Sequence, residues 1–437
     1  MAQTVAQTKT ITQAVERLGH RVTVGDVAAE AGLPLLEAQR GVLDLATAAQ
    51  AHLQVAESGE IAYVFPKNLQ AVLWSQSWRL RWRATWDKVW RVLFYLIRIS
   101  FGILLILSLV LIVVAITLLA IAASSASQQG DNRRRSGGGG MIFLPRMWIG
   151  PRPFRMFEPP GRRRVQPRTP SEMNFLEAVF SFLFGDGDPN ADLDDRRWQS
   201  VAQVIQSNDG VVVAEQITPF LGDLGKGWDS DLEDFMVPVL SRFNGMPQVS
   251  PQGGIVYQFP ELQVTAKAQR KITPPRFLQE LPRKFSQATS GQIMAAIGLG
   301  SANLIGALVL RSMLQDPVLV AQAGDLVVFV SSIFWLLLGY GVAFLTVPLV
   351  RYFWVQRQNS RIEARNADRQ ERAEALKQLT DDQREKLAFA QTLTAQTVIG
   401  TDNLAYTTEE DLTDQEIVQK DKIDAEWQRL LEQRGGK

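Results

Sequence analysis

Few side chains in this chain have the type and spacing that chemistry requires. One run resembles a calcium loop, because oxygen-bearing side chains alternate along it: Asp186, Asp188, Asn190, Asp192 and Asp194. A calcium loop of the EF-hand type also needs a glycine at its sixth position and a bidentate glutamate at its end. Ala191 stands at the glycine position, and no glutamate closes the loop. The run therefore favours a helix-capping acidic turn, and we expect no metal site.

The composition excludes several further classes of site. None of the 437 residues is a cysteine, which excludes disulfides, cysteine-ligated iron–sulfur clusters, thiolate zinc sites and cysteine nucleophiles. The two histidines, His20 and His52, both lie in the first polar segment. No nucleophile–base pair or phosphate-binding loop is visible, so we expect no catalytic residue, no cofactor and no enzyme. The net charge of +1 gives no overall field that would attract nucleic acid.

Three apolar segments predict membrane spans. The run from Ser100 to Ala123 carries no charge and slightly exceeds the roughly 20 residues that cross a bilayer core. Two more apolar segments, Ser290–Leu310 and Asp325–Val350, are joined by a short link. We therefore predict a transmembrane segment over 100–123 and a transmembrane hairpin over 290–350.

Tryptophans precede the first span at intervals of four residues: Trp74, Trp78, Trp82, Trp86 and Trp90. This spacing puts them along one stripe of a helix, with arginines and a lysine elsewhere around it. Such a helix suits the lipid headgroup layer, where indole rings bury and their N–H groups stay hydrated. We predict an interfacial tryptophan–arginine helix over 71–99. The alternative is an aromatic face packed on the protein's own core.

Small residues dominate the first helix of the hairpin. They allow transmembrane helices to approach closely, so Gly298 and Gly306 are candidate helix-packing residues. Asn303 lies between them, and an interhelical hydrogen bond is a commoner role for such a residue than lining a pore.

An internal repeat is the strongest pattern in the polar segments. Tyr63, Phe65 and Pro66 near the end of the first polar segment recur as Tyr257, Phe259 and Pro260 near the end of the second. Upstream, Arg21–Ala28 parallels Gly210–Ile217.

Each copy reads as a helix, a short extended piece, two further helices and a terminal hairpin. The predicted helices are Ile11–Leu18, Val24–Ala31 and Leu35–Ala49 in the first copy, and Trp198–Ser207, Ala214–Phe220 and Leu232–Phe243 in the second. The predicted hairpins are Leu53–Phe65 and Pro247–Phe259. This order is that of a winged helix. We therefore predict winged-helix-like domains over 8–70 and, with a preceding helix, over 173–265.

Winged helices often bind DNA through basic residues of the third helix. In the first copy that helix offers Arg40 alone, beside Glu37 and Asp44. In the second, carboxylates gather at the helix start: Asp229, Asp231, Glu233 and Asp234. Because these would repel phosphate, we expect protein partners and no nucleic acid.

The other segments are a Gly/Arg/Pro-rich linker over 124–172 and a charged helical C-terminal region over 351–437. Within that region, Gln356–Thr397 is strongly helix-forming. The predicted fold class is an α+β membrane protein that is mainly helical, with transmembrane helices, two winged-helix-like domains and a C-terminal charged helix.

The orientation of the chain leaves one conflict open. Basic residues flank the hairpin on both outer sides, which places those ends in the cytoplasm or its organelle equivalent. A single crossing at 100–123 would then separate the two copies of the repeat across the membrane. Whether residues 86–124 cross once or re-enter stays open.

Three stretches carry a resemblance to a known family: Val15–Ala28, Asn174–Asn190 and Ala395–Gly400. The chain resembles an uncharacterised family of integral membrane proteins of cyanobacteria and chloroplasts. The resemblance implies a thylakoid or plasma membrane in a cyanobacterium, and a chloroplast membrane in plant relatives. Plant relatives carry a label of iron–sulfur cluster biosynthesis, but a chain without cysteine gives no support for a cluster that it would itself ligate.

We therefore expect a non-enzymatic membrane scaffold or assembly factor that serves photosynthetic membrane complexes through its winged-helix-like domains. Its expected partners are membrane lipids and membrane-protein complexes, and a homo-oligomer is an open possibility. The alternative is an oligomeric channel or transporter built from the Gly-rich hairpin. A membrane-tethered DNA regulator comes third.

Overall fold

The computed structural model describes residues 2–69, 78–128, 173–222, 233–266, 273–400 and 404–409, together with four single positions nearer the C-terminus. The chain forms two compact units. The repeat unit comprises Met1–Lys88, Asp188–Arg283 and Gln358–Lys437, and the apolar unit comprises Val89–Gly187 and Lys284–Arg357.

The first repeat is built from three helices and three strands. They are α1 (Ala2–Arg17), β1 (Arg21–Val22), α2 (Val24–Ala31), α3 (Leu35–Ala49), β2 (His52–Ala56) and β3 (Ile61–Val64). A capping box of Thr23 and Asp26 begins α2, and Gly32 with φ of 66° ends it. The sheet order is β1-β3-β2, all antiparallel. The helices bury Ile11, Val27 and Leu45 against this sheet.

The second repeat has the same order of elements. They are α6 (Leu193–Ser207), β4 (Val211–Val212), α7 (Ala214–Ile217), a 3₁₀ turn (Thr218–Phe220), a second 3₁₀ turn (Asp234–Met236), α8 (Val237–Phe243), β5 (Met246–Val249) and β6 (Ile255–Gln258). Its sheet order is β4-β6-β5, the same relative order as in the first repeat. The core packs Ile205, Phe243 and Phe259 together.

Backbone hydrogen bonds align the two repeats and correct the alignment drawn from sequence. The carbonyl of His20 accepts the N–H of Phe65 (2.7 Å), and the carbonyl of Gly210 accepts that of Phe259 (2.8 Å). His20 thus corresponds to Gly210, one residue away from the pairing of Arg21 with Gly210 that letter matching suggests. Both residues have a positive φ, 70° and 80°. This shared backbone conformation is hidden from a comparison of side chains.

The C-terminal segment adds further elements to both repeats. These are α14 (Asp381–Leu393), β8 (Thr397–Val398) and β9 (Leu404–Thr407), with β7 (Val264–Thr265) as the partner of β8 and α9 (Pro260–Gln263) just before β7. Helix α14 packs on the sheet of the second repeat, and β9 extends the first sheet to β1-β3-β2-β9. The predicted single helix Gln356–Thr397 is wrong, because it is interrupted before Thr380, whose capping box starts α14. The region is also not purely helical.

Six helices lie wholly or partly in the described residues of the apolar unit. These are α4 (Trp78–Gln128), which starts in the repeat unit, α5 (Phe175–Phe184), α10 (Ser290–Met313), α11 (Pro317–Gln322), α12 (Asp325–Ser332) and α13 (Phe334–Ala375), which ends in the repeat unit. Among the described residues, three helical stretches are long and apolar enough to cross a membrane: Lys88–Ser125, Ser290–Met313 and Phe334–Ala375.

Two predicted boundaries change. The interfacial helix over 71–99 and the span over 100–123 form parts of one helix, α4, which is 51 residues long. No proline interrupts it, so nothing in the sequence ends the helix between them. The predicted linker accordingly loses its first residues to α4. Residues 129–172 and the predicted last helix, Asp424–Gln433, lie outside the described residues, apart from Trp427.

The two repeats pack directly on each other. Arg242 of the second repeat donates to the carbonyl of Gly32 in the first (2.6 Å). Asp26 of the first accepts the N–H of Ala266 just after the second (2.9 Å). Both repeats must therefore lie on the same side of any membrane.

Because the chain has no cysteine, single cysteines can test this arrangement. Glu57→Cys in the first repeat and Ser241→Cys in the second, both at exposed positions, should react with a membrane-impermeant maleimide from the same side of sealed vesicles. Gln315→Cys, between α10 and α11, is the control and should react from the other side, because the candidate span Ser290–Met313 separates it from the second repeat. Labelling of the two repeats from opposite sides would contradict the packing.

Candidate partner-binding surfaces

The third helix of the first repeat presents an apolar face to solvent. Leu36 and Leu43 are 58% and 54% exposed, and they lie two turns apart on the same side of α3. Arg40 lies between them, and the carboxylates of Glu37 and Asp44 flank the face. This surface combines exposed aliphatic side chains with one arginine and a net negative charge.

The corresponding helix of the second repeat uses its arginine internally. The guanidinium of Arg242 lies 4.4 Å from the centre of the Trp198 ring and donates to the Gly32 carbonyl. Val237 at the start of α8 is 61% exposed, and Asp234 just before it is also exposed. The predicted acidic residues Asp229 and Asp231 lie outside the described residues. Over the described part of both third helices, Arg40 is thus the one cation not engaged within the protein.

A lysine fills a groove on the second repeat. The ammonium of Lys386 in α14 lies 3.4 Å from Glu215 and 3.5 Å from Glu233. The Tyr257 hydroxyl donates to Glu233 (2.6 Å), and the lysine stem runs so close to Gly254 that a side chain there would displace it. We call these residues the lysine groove. Burial lowers the pKa of Lys386, but its acidic neighbours outweigh that effect and raise the pKa above its ordinary value.

The open edges of the two sheets are treated differently. In the first repeat, Leu53 of β2 accepts from the N–H of Thr408 (2.9 Å) and donates to its hydroxyl (2.8 Å), so the C-terminal segment covers that edge. In the second repeat the equivalent residue on β5 is Pro247, which has no N–H to offer. Proline on an edge strand discourages the addition of another strand. The edge of β5 is therefore a poor docking site.

The predicted signature residues lie in the last strand of each repeat and directly after it. Phe65 and Phe259 are buried in the two cores, and Pro66 and Pro260 follow them. Tyr63 and Tyr257 are also buried. The structure does not bring the two triplets together.

The predicted interfacial tryptophans lie on or before α4. Trp86 and Trp90 are 64% and 56% exposed, which excludes packing on the protein's own core for these two. Trp78 and Trp82 belong to the same helix, but their side chains, and the whole of Trp74, lie outside the described residues.

The three predicted helix-packing residues have different surroundings. Gly298 is exposed, and no described residue of the chain lies within 4 Å of a side chain placed there, so it takes no part in helix packing within this described part. Asn303 is fully buried, and its amide donates to the hydroxyl of Ser108 in α4. Gly306 of α10 faces Ile112 of α4.

Sequence reasoning missed Gly300, where a side chain would collide with the ring of Phe344 in α13. The buried face of α10 follows a heptad-like spacing: Ala296, Gly300, Asn303, Ala307 and Leu310. That spacing, counted from Asn303, was a usable signal for choosing Gly300 over Gly298.

The carboxylates of the acidic turn form ion pairs with arginines. The pairs are Asp186 with Arg98, Asp188 with Arg283 (2.5 Å), Asp192 with Arg196 (3.1 Å) and Asp194 with Arg197 (3.0 Å). Asn190 exchanges two hydrogen bonds with the backbone of Leu281 (2.8 Å each). Within the part of the chain that the structure describes, no three His, Asp or Glu side chains are grouped so that they could bind a metal ion.

A buried ion cluster holds the end of α13 to the second repeat. Glu280 is 4% exposed and binds Arg365 (2.5 Å) and Arg369 (2.8 Å). Arg369 and Arg372 also donate to backbone carbonyls of the second repeat. Burial raises the pKa of Glu280, but the two arginines outweigh it and lower the pKa overall. The sequence predicted a charged helix and gave no sign of its acidic partner.

Comparison with known proteins gives one relative. The chain is 35% identical over 417 residues to the uncharacterised chloroplastic protein At5g03900 of Arabidopsis thaliana, and the match covers 92% of this chain and 79% of the plant protein. The chain belongs to the family of this protein. No family model matches the chain, and no solved structure matches it. The relative's name places it in the chloroplast and states no activity or iron–sulfur role, and the three apolar helices are compatible with a membrane protein.

Glu280→Gln should destabilise the repeat unit by roughly 2–3 kcal/mol. This is less than the loss on breaking a fully buried ion pair, because Arg365 is 40% exposed. Thermal unfolding in detergent measures the loss, with Glu363→Gln, an exposed change on the same helix, as the control.

The pH dependence of that loss has a definite sign. Because the folded pKa of Glu280 lies below 4.5, its ionised form stabilises the native state above that pH. The gap between the wild-type protein and Glu280→Gln should be constant near neutral pH and narrow as the pH falls below about 4.5. A gap that widens in acid would contradict the assignment.

Proposed function

We propose that this protein is a non-enzymatic membrane scaffold or assembly factor for photosynthetic membrane complexes. Its site of action in this proposal is a thylakoid membrane, or the plasma membrane of a cyanobacterium. The two repeats act as winged-helix domains that bind proteins. The order of helices and strands, and the common strand order of the two sheets, support that interpretation.

The observation that carries the proposal is the exposed face of α3. A nucleic-acid reader needs several cations on this helix to neutralise phosphate. Here two exposed leucines flank a single arginine, and two carboxylates stand beside them. Aliphatic side chains around an arginine are typical of the core of a protein interface, from which excess charge is absent.

The membrane setting supports the same function. Helix α13 contains a candidate span and continues unbroken to Ala375, and its last turns bind the second repeat through Arg365 and Arg369. The exposed Trp86 and Trp90 suit the headgroup layer. The chloroplastic relative supports a photosynthetic organelle. A scaffold tethered in this way would hold its repeats near the membrane surface.

The pore alternative requires polar groups that face a channel. Asn303, the polar residue buried in α10, donates its amide to Ser108 and lies against Gly341. This contact favours helix packing within one chain over a pore lining.

The test uses tagged full-length protein recovered from native membranes in mild detergent. Leu36→Glu/Leu43→Glu should lower the recovery of photosystem or other membrane-complex subunits at least tenfold, because charge replaces the apolar face. Both positions are exposed, so the fold should tolerate the change. Ala364→Glu/Ala367→Glu, a matched pair at exposed positions of α13, should leave recovery unchanged.

A different result would reverse the ranking of the two functions. Recovery of the protein alone as a homo-oligomer, equally in all three forms, would overturn the scaffold proposal. Solute flux through liposomes that contain the protein would then be the next measurement.

A further inference from the structure

The first repeat contains a counterpart of the lysine groove. The strand registers align His52 with Met246 and Tyr63 with Tyr257. The left-handed C-cap residues of the third helices, Gln50 and Asn244, align with the same offset, and counting back from them sets Gln39 at the position of Glu233. At the start of the second helix, the N-cap residues Thr23 and Val213 align, which pairs Gly25 with Glu215. The groove that holds Lys386 in the second repeat therefore recurs in the first.

In the first repeat, the groove is a cavity of 180 Å³. Its lining includes Thr23, Gln39, Glu60, Tyr63, Glu261 and Val264. Tyr63 is 7% exposed, and its hydroxyl has no hydrogen-bond partner among the described residues, whereas Tyr257 in the second repeat donates to Glu233. The hydroxyl is therefore free to form a hydrogen bond with a polar group that enters the cavity.

The acidity of the groove is preserved although the acidic positions have changed. The second repeat uses Glu215 and Glu233, and the first has Gly25 and Gln39 in their places. Two other carboxylates line the cavity instead, Glu60 on the hairpin and Glu261 after the second repeat.

Among the described residues, no basic side chain pairs with either of these two carboxylates. Burial raises the pKa of Glu261, and the nearby Glu60 raises it further. A cation placed between them would relieve both effects.

The apolar part of the groove is filled in both repeats. In the second repeat, Ala390 of α14 packs against Val256. In the first, Val264 of β7 packs against Ala62, the counterpart of Val256, together with Ala266 and Ile399, which directly follow β7 and β8. Only the polar end is open, so the space suits a single side chain and not a whole helix.

We propose that this cavity binds the ammonium group of a lysine side chain from a partner protein. The inference deepens the proposed function, on which it rests, by stating the chemistry of the partner. Lysine is favoured because the same groove, one repeat away, already binds one with two carboxylates. A calcium ion needs six to eight oxygen ligands, and the described residues bring no group of three or more His, Asp or Glu side chains together here.

A carbodiimide that condenses carboxylates and amines in direct contact provides the test. Native membranes that carry the full-length protein are treated and the cross-linked peptides are sequenced by mass spectrometry. We expect Glu60 or Glu261 to be joined to a lysine of another polypeptide. The cross-link between Lys386 and Glu215 or Glu233 in the same sample is the internal positive control for this chemistry.

Substitutions of the two carboxylates test whether they bind the partner's lysine. A photocross-linking probe at Gln39 measures binding of the same partner. Glu60→Lys/Glu261→Lys should lower its cross-linking at least tenfold, because the new lysines repel the partner's lysine. Glu57→Lys, an exposed hairpin residue outside the cavity, is the control and should leave it unchanged. Persistence of the Lys386 cross-link in each variant reports that the repeat unit is folded.

Two outcomes would overturn the inference. In one, the Lys386 cross-link forms but Glu60 and Glu261 carry no lysine peptide. In the other, mixing of isotopically light and heavy protein shows that the attached lysine belongs to this chain itself. If partners are still recovered through the α3 face, the inference alone fails. If no partner appears in either experiment, the proposed function fails with it.

Discussion

The repeat unit depends on a buried carboxylate where its chain segments meet. Asp26 is 3% exposed and accepts the N–H of Thr23 (3.1 Å), which caps α2, and the N–H of Ala266 (2.9 Å), which follows the second repeat. Arg21 completes the junction by donating to the carbonyls of Ala266 and Ile399. A capping interaction that is ordinarily local therefore also fixes the end of the other repeat, and through it the C-terminal strands. The backbone of Glu261 lies so close to Gly25 that any side chain there would collide with it.

This junction makes two similar domains unequal. The C-terminal segment contacts both and gives each a different cover: β9 closes the sheet edge of the first repeat, and Lys386 of α14 fills the groove of the second. Each repeat then lacks the cover that the other has. Pro247 compensates at the uncovered edge, since it removes the N–H that an added strand would need. The uncovered groove of the first repeat has no such compensation, and its acids and tyrosine stay unpartnered within the described residues.

The sequence predicted what local signals encode and missed what depends on distant partners. The bounds of α2 and α3 were correct, because Thr23, Gly32 and the apolar periodicity mark them. β8 was missed because two residues carry no usable pattern, and β9 because it forms only against β2. Glu280 was missed because nothing local distinguishes it from a surface acid; its role follows from arginines that lie 85 and 89 residues further along the chain. Gly298 was preferred to Gly300 because composition shows that small residues are present, whereas only the spacing from Asn303 shows which face they occupy.

The numbers of basic and acidic residues are nearly equal, 46 and 45, and many of the basic ones bind acidic side chains or backbone carbonyls of the protein itself. Within the described part of the chain, most arginines that look available for phosphate or lipid are engaged with other residues of the protein. Arg242 and Arg369 donate to backbone carbonyls, and the acidic turn pairs with four more. Charge-assisted bonds of this kind hold irregular backbone in place, where no helix or sheet ladder satisfies the carbonyls. Once these arginines are accounted for, the surface left to a partner on the first repeat is apolar on α3 and acidic at the groove. A complementary partner surface is therefore apolar and basic, which sets the proposed client apart from nucleic acid and connects the two proposed contacts on one domain.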